Sequence, residues 1–183
     1  MEERTLQELT LSDVQKMIDY TPERSENFLL YDGGPDDPQR MLFFGTQEYS
    51  TLLGEADTWA FDGTFRVAPA LFMQLYTAFA LHGNWCFPCI FALLPNKRQE
   101  TYVRMLSKII ELVIMTPTRI LVDFEAAAIS ALRATLPMTL ICGCYFHYCQ
   151  AIYRKMRELG FQQRYAIDAA LRLEIRKLMA LAF

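Results

Sequence analysis

The chain has 183 residues, enough for one domain with a buried core, and 52% of them are hydrophobic. Its net charge of −3 excludes a globally basic nucleic-acid-binding protein. The charge is uneven, because residues 1–60 carry 13 Asp or Glu against 4 Lys or Arg, whereas residues 147–183 carry 7 Lys or Arg against 3 acids. The basic residues at the end of the chain permit contacts with phosphates. Ordinary solvated helix faces account for these residues at least as well.

Targeting and cysteine patterns favour an intracellular protein. No apolar run approaches the roughly 18 residues of a membrane span, and the residues MEERTLQEL are too acidic for a signal peptide. The five cysteines are an odd number in two short clusters, which argues against a disulfide framework.

The first third of the chain predicts short elements. Residues 12–20 read as a helix with Ser12 as its N-cap. Residues 28–31 and 41–44 are short strand candidates on either side of a loop rich in Gly, Pro and Asp. One or two helical turns are expected at residues 46–53.

The centre of the chain predicts a sheet. Residues 58–67 alternate apolar and polar, and residues 71–81 and 86–94 are nearly continuous apolar runs. Short turns separate these three strands, so we expect an antiparallel meander. A helix at 99–115, a strand at 119–122, an Ala-rich helix at 125–136 and a strand at 139–142 follow.

The order β-β-β-α-β-α-β constrains the topology. A right-handed crossover helix must place the fourth of these strands parallel to one of the first three. If it lies beside the first, the order is 3-2-1-4-5, and Asp62 on the first strand is next to Asp123 at the end of the fourth. The expected fold is therefore a mixed α/β sheet of five strands with flanking helices.

Two acids on core strands indicate metal chemistry. An ionised carboxylate beside a sheet interior is costly unless it is paired or metal-bound. Asp62 and Asp123 together offer hard oxygen ligands for two Mg²⁺ or Mn²⁺ ions, and such a pair of ions supports phosphodiester chemistry. Gly63 would let a phosphate backbone approach. Alternatively, Asp62 before Gly63 is a turn residue, and Asp123 caps the next helix.

Several motifs in order resemble one known family. The segments are WAFDGTFRVAPALFMQLYTAFALH, PCIFALLPNKRQETYVRML, ILVDFEAAAISALRATLP and CYFHYCQAIYRK, and the resemblance, over residues 29–159, is to the MULE (Mutator-like element) transposase domain. It implies a ribonuclease-H-like fold of the DDE superfamily, with Asp62 and Asp123 as catalytic metal-binding residues and Cys144 and His147 as its C-x-x-H motif. It further implies Mg²⁺- or Mn²⁺-dependent DNA strand cleavage and transfer at transposon ends. DNA is then the expected partner, the nucleus is the expected location and no membrane association is expected. The resemblance leaves homo-oligomerisation open.

The chain departs from the family pattern in one respect. The third acid of this family lies on a helix further downstream, and Glu158 and Glu174 match no motif. The expected organisation is an acidic lead-in at 1–56, a partial catalytic core at 57–146 and the start of a helical insertion at 147–183. We therefore expect a truncated chain that is inactive alone, and whether it is an enzyme stays open. The alternative is a domesticated, non-catalytic transposase-derived protein that binds DNA or regulates.

Cysteine and histidine spacing leaves a third hypothesis. Cys86, Cys89, Cys144 and His147 have the ligand types of a Cys₃His zinc site, as in an unrelated α/β nuclease or zinc hydrolase. Cys86 and Cys89 lie on the third predicted strand, far from the fifth, so packing is the favoured interpretation for them. Zinc is expected to be less suitable here than Mg²⁺ or Mn²⁺.

Overall fold

The computed structural model describes residues 6–8, 10 and 28–181. The helix predicted at residues 12–20 lies outside the described residues. A short 3₁₀ turn is found at Leu6–Glu8.

Seven strands form one mixed sheet. Their bounds are β1 Leu29–Asp32, β2 Leu42–Phe44, β3 Thr58–Thr64, β4 Gln74–His82, β5 Trp85–Leu94, β6 Arg119–Val122 and β7 Leu140–Gly143. The sheet order is β1-β2-β5-β4-β3-β6-β7. The predicted count of five strands was too low, because β1 and β2 of the lead-in join the sheet through antiparallel pairing of β2 with β5.

The helices are α1 Gln47–Glu55, α2 Gln99–Leu112, α3 Ala126–Thr135, α4 Tyr145–Glu158, α5 Gln162–Ile167 and α6 Ala169–Ala180. Helix α1 begins where the Thr46 side chain accepts a hydrogen bond from the backbone N–H of Tyr49, an N-cap contact that stabilises the first turn. Helices α2 and α3 pack against each other and bury their apolar faces. In the described part of the chain no helix is long and apolar enough to span a bilayer.

One large core lies on one face of the sheet. Trp59 and Phe61 from β3 and Ile120 and Val122 from β6 are buried in it. Trp59 is fully buried, and its indole N–H donates to the carbonyl of Leu53 in α1 at 2.6 Å, so its only polar atom is satisfied. The alternation of apolar and polar residues in β3, recognised in the sequence, is therefore the alternation between the core face and the opposite face.

The directions of the strands determine which loops meet at one end of the sheet. Strands β3, β6 and β7 are parallel. Strand β5 is parallel to β3 as well, because each is antiparallel to β4. All four strands thus finish at one end of the sheet, which we call the site edge, and helices α2, α3 and α4 begin there.

Candidate active site at the sheet edge

The two predicted carboxylates belong to neighbouring parallel strands at the site edge. The parallel pairing of β3 with β6 places Thr58 beside Arg119 and Ala60 beside Leu121. Asp62 and Asp123 each follow two residues after this last pair, at equivalent positions of the two neighbouring strands. Both alternate with core residues and therefore belong to the face opposite the core.

The two alternative interpretations of these acids fare differently. Asp62 is not a turn residue, because it pairs with Thr77 inside the β3–β4 ladder. Asp123 follows β6, and its Oδ1 accepts the backbone N–H of Glu125 at 3.2 Å. That contact is a local turn rather than a helix cap, since the N-cap of α3 is Glu125 itself. Asp62 therefore holds no turn, whereas Asp123 stabilises the turn that leads into α3.

The histidine of the C-x-x-H motif reaches the same place. Cys144 is the N-cap residue of α4, and His147 lies in the first turn of that helix. The Nε2 of His147 is 3.5 Å from Oδ1 of Asp62, whose side chain is 45% exposed. Within the described residues, the Nδ1 of His147 is buried and has no hydrogen-bond partner. Two motifs that are distant in the sequence therefore meet at one carboxylate, which keeps access to solvent.

A hydrogen-bonded chain that was not predicted from the sequence lies under the site. The amide nitrogen of Gln74 donates to the Tyr102 hydroxyl at 2.8 Å, and that hydroxyl donates to Oε1 of Glu125 at 2.9 Å. The Nζ of Lys97 is 3.5 Å from the other oxygen of Glu125. Gln74 is fully buried. This chain fixes a third carboxylate, two residues after Asp123, in one orientation.

Tyr76 is a buried tyrosine on which the charges of these acids act. Its ring is 2% exposed and stacks on Phe61. Burial raises its pKa well above the usual value, and the negative charges of Asp123, Glu125 and Asp62 raise it further. The hydroxyl stays protonated, and among the described residues it has no partner. A buried donor therefore lies in the field of the carboxylates.

Gly63 also meets a packing constraint. A Cβ on this residue would lie 3.1 Å from Oε1 of Gln74 and 3.1 Å from the ring of Tyr76. The missing side chain thus faces the packed residues beneath the sheet. The glycine avoids a tight contact with Gln74 and Tyr76, which is a reason independent of any phosphate.

The four residues of the alternative zinc site are not brought together. Cys86 and Cys89 are in β5, whereas Cys144 and His147 follow β7, with β4, β3 and β6 between the two strands. Within the described ranges, no group of three or more His, Cys, Asp or Glu side chains is arranged to hold a metal ion. Cys89 is buried, as the packing interpretation requires, but Cys86 is exposed and the packing interpretation is wrong for it.

The donor set at the site edge fits a hard divalent cation. Asp62 and Asp123 offer carboxylate oxygens, and both keep exposed surface where water can complete a coordination shell. Such a cation, when bound, would polarise a phosphodiester and activate an attacking hydroxyl. His147 would orient Asp62, and Lys97 would add positive charge at the rim of the site.

Comparison with known families agrees with this arrangement. The fold and site define a mixed α/β domain with paired acids where parallel strands end. The family model of the MULE transposase domain matches residues 58–151, which run from the start of β3 into α4. The chain belongs to this family. A search of curated proteins finds no relative that matches it.

Proposed function

We propose that this chain carries a ribonuclease-H-like transposase core in which Asp62 and Asp123 bind Mg²⁺ or Mn²⁺ for DNA strand cleavage and transfer at transposon ends. The observation that supports the proposal is the parallel β3–β6 register, in which each acid comes two residues after the pair of Ala60 and Leu121. The succession β5-β4-β3-β6-β7 within the larger sheet supports the fold assignment. The family match supports a transposase-related role and DNA as the partner. In a eukaryotic cell such a role belongs in the nucleus.

The residues around the two acids have separate tasks in this proposal. Asp62 and Asp123 hold the cations, and His147 keeps the Asp62 carboxylate in place from one side. Tyr102 and Gln74 keep Glu125 oriented at the start of α3. Lys97 lies against the ring of Phe65 at 3.7 Å, at the rim where a DNA phosphate would approach.

Metal binding by point variants tests the proposal. Asp62→Asn and Asp123→Asn remove one anionic ligand each and should weaken Mn²⁺ binding by at least about tenfold, measured by titration calorimetry or Mn²⁺ electron paramagnetic resonance. Asp57→Asn is the matched control, because Asp57 is an exposed acid just before β3, at the opposite end of that strand. Equal Mn²⁺ affinity in all three variants and the wild type would refute the metal site.

A non-catalytic DNA-binding role is the second candidate. It is favoured by the charge of residues 147–183, where 7 Lys or Arg against 3 acids can contact phosphates without a metal ion. DNA binding that is unchanged in Asp62→Asn and Asp123→Asn, together with no detectable Mn²⁺ binding, would support this candidate over the first.

A further inference from the structure

A cavity lies beside the candidate active site, between helices α4 and α6. It has a volume of about 530 Å³. Its lining includes Phe146, Cys149, Tyr153, Arg154, Arg157 and Met179. The two helices are joined by a hydrogen bond from the Tyr148 hydroxyl to the carbonyl of Leu178 at 2.9 Å. A cavity of this size is in the range that holds a small organic group.

The cavity lies along the helix whose first turn contacts Asp62. Helix α4 begins at the site edge, where His147 contacts Asp62. Phe146, Tyr153 and Arg157 are spaced by seven and four residues, so they follow one stripe of the helix away from the site. With a rise of about 1.5 Å per residue, this stripe extends along roughly 15 Å of the helix. A polymer bound at Asp62 and Asp123 that follows α4 would meet these residues.

The cations of the cavity lack protein partners. Across residues 28–181, neither the Arg154 nor the Arg157 guanidinium takes part in an ion pair or hydrogen bond, and both side chains are exposed. Lys155, which lies between them, is paired with Glu158 at 3.2 Å. Arginines that form no internal pair, on one side of a helix, suit the phosphates of a nucleic acid.

The aromatic residues of the cavity present their rings to solvent. Phe146 is 62% exposed and Tyr153 is 40% exposed. The ring of Tyr153 is held edge-on against Tyr165, with centroids 5.8 Å apart, which orients it without covering it completely. Exposed rings interleaved with cations are the pattern on which unpaired bases stack, whereas paired bases in a duplex hide their faces.

We infer that the α4–α6 cavity binds an unpaired stretch of DNA next to the phosphodiester held at Asp62 and Asp123. Arg154 and Arg157 contact its phosphates, and Phe146 and Tyr153 stack on its bases. This inference rests on the proposed function, because it gives the DNA of that reaction its path out of the site. It concerns binding alone and includes no chemical step.

Binding of a labelled oligothymidylate of about a dozen nucleotides tests the inference by fluorescence anisotropy, with a duplex of equal length for comparison. EDTA is present throughout, so a failure of the metal proposal leaves this measurement unaffected. The full chain should bind the single strand more tightly than the duplex. Equal affinity for both, or no binding of the oligothymidylate, would overturn the inference.

Charge-matched variants separate the cavity from general electrostatics. Arg154→Gln and Arg157→Gln should each weaken binding and reduce the slope of log K against log salt by about 0.7, the value for one lost single-strand phosphate contact. Lys155→Gln, with the same loss of charge on the same helix, should leave the slope unchanged. A uniform decrease in all three variants would instead indicate unspecific attraction and contradict the inference.

Stacking and direct protection complete the test. Tyr153→Ala should weaken binding by about tenfold, whereas Tyr153→Phe keeps the ring and should bind like the wild type. Saturating oligothymidylate should slow alkylation of Cys149 in the cavity, as followed by mass spectrometry. Cys86 is exposed at the start of β5, at the opposite end of the sheet, and serves as the internal control. Unchanged Cys149 reactivity under saturation would rule the cavity out as the binding site.

Discussion

The buried hydrogen bond between Gln74 and Tyr102 allows a quantitative prediction about the support of the site. Both residues have almost no exposed surface, at 0% and 1%, and the Gln74 amide donates to the Tyr102 hydroxyl at 2.8 Å. Tyr102→Phe removes one oxygen atom and leaves the buried amide without an acceptor. A buried polar group left unpaired costs about 1–3 kcal/mol, and Glu125, which is partly exposed, can replace its lost contact with water.

The free energy of unfolding, measured by urea titration, should therefore fall by about 1–3 kcal/mol in Tyr102→Phe. For a chain of this size, that corresponds to a decrease of roughly 2–12 °C in the unfolding midpoint. Replacing both partners, in Gln74→Met with Tyr102→Phe, should recover most of the loss because neither position then has an unpaired polar group. Tyr49→Phe, at a 37% exposed tyrosine, is the control and should change stability by less than about 0.5 kcal/mol.

A stability of Tyr102→Phe equal to that of the wild type would refute the reasoning. So would a double variant that is no more stable than Tyr102→Phe alone. Either result would mean that the amide of Gln74 finds another partner, and that Glu125 is not held through this chain of hydrogen bonds.

Three further predictions concern other parts of the molecule. Asp32→Asn should destabilise the fold by about 3 kcal/mol, because the buried guanidinium of Arg40 loses its two-point partner. Burial opposes ionisation of Asp32, but hydrogen bonds and the charge of Arg40 lower its pKa overall. The stabilisation by the Asp32–Arg40 pair is therefore complete above about pH 4 and is lost as the pH falls through the lowered pKa. Urea titrations at neutral and acidic pH measure this loss. Gly63→Ala should cost about 1–3 kcal/mol by overpacking, seen as a lower melting temperature. Iodoacetamide at mildly alkaline pH should modify Cys86 and spare buried Cys89, whose pKa burial raises to about 11, and mass spectrometry reports both.

The strands were predictable because their patterns are local. Alternation in β3, the continuous apolar runs of β4 and β5 and the short apolar strand β6 all lie within three residues of the predicted bounds. The extension of the sheet by β1 and β2 was not predictable in the same way. A strand of three residues carries little periodicity, and its neighbour in the sheet is chosen by tertiary packing of buried residues such as Leu42 and Phe43.

The parallel pairing of β3 with β6, the strands that lead to Asp62 and Asp123, was predictable from handedness and chain order, because a right-handed crossover leaves few positions for β6. The network of Gln74, Tyr102 and Glu125 was not. Each of these residues looked ordinary in its own segment, and only packing of α2 against the sheet and α3 brings them together. One signal was present in the sequence: a glutamine within an apolar strand implies a buried polar partner.

The charges at the site edge give a physical reason for a cation there. Three carboxylates, those of Asp62, Asp123 and Glu125, act together on the buried hydroxyl of Tyr76. Lys97 lies beside Glu125, and the group facing Asp62 is His147, which is charged only when protonated. Negative charge therefore exceeds positive charge among these groups, and a bound cation would balance it. The same excess repels DNA phosphates from the two acids, so the path proposed along Arg154 and Arg157 supplies the attraction that the acids alone cannot provide.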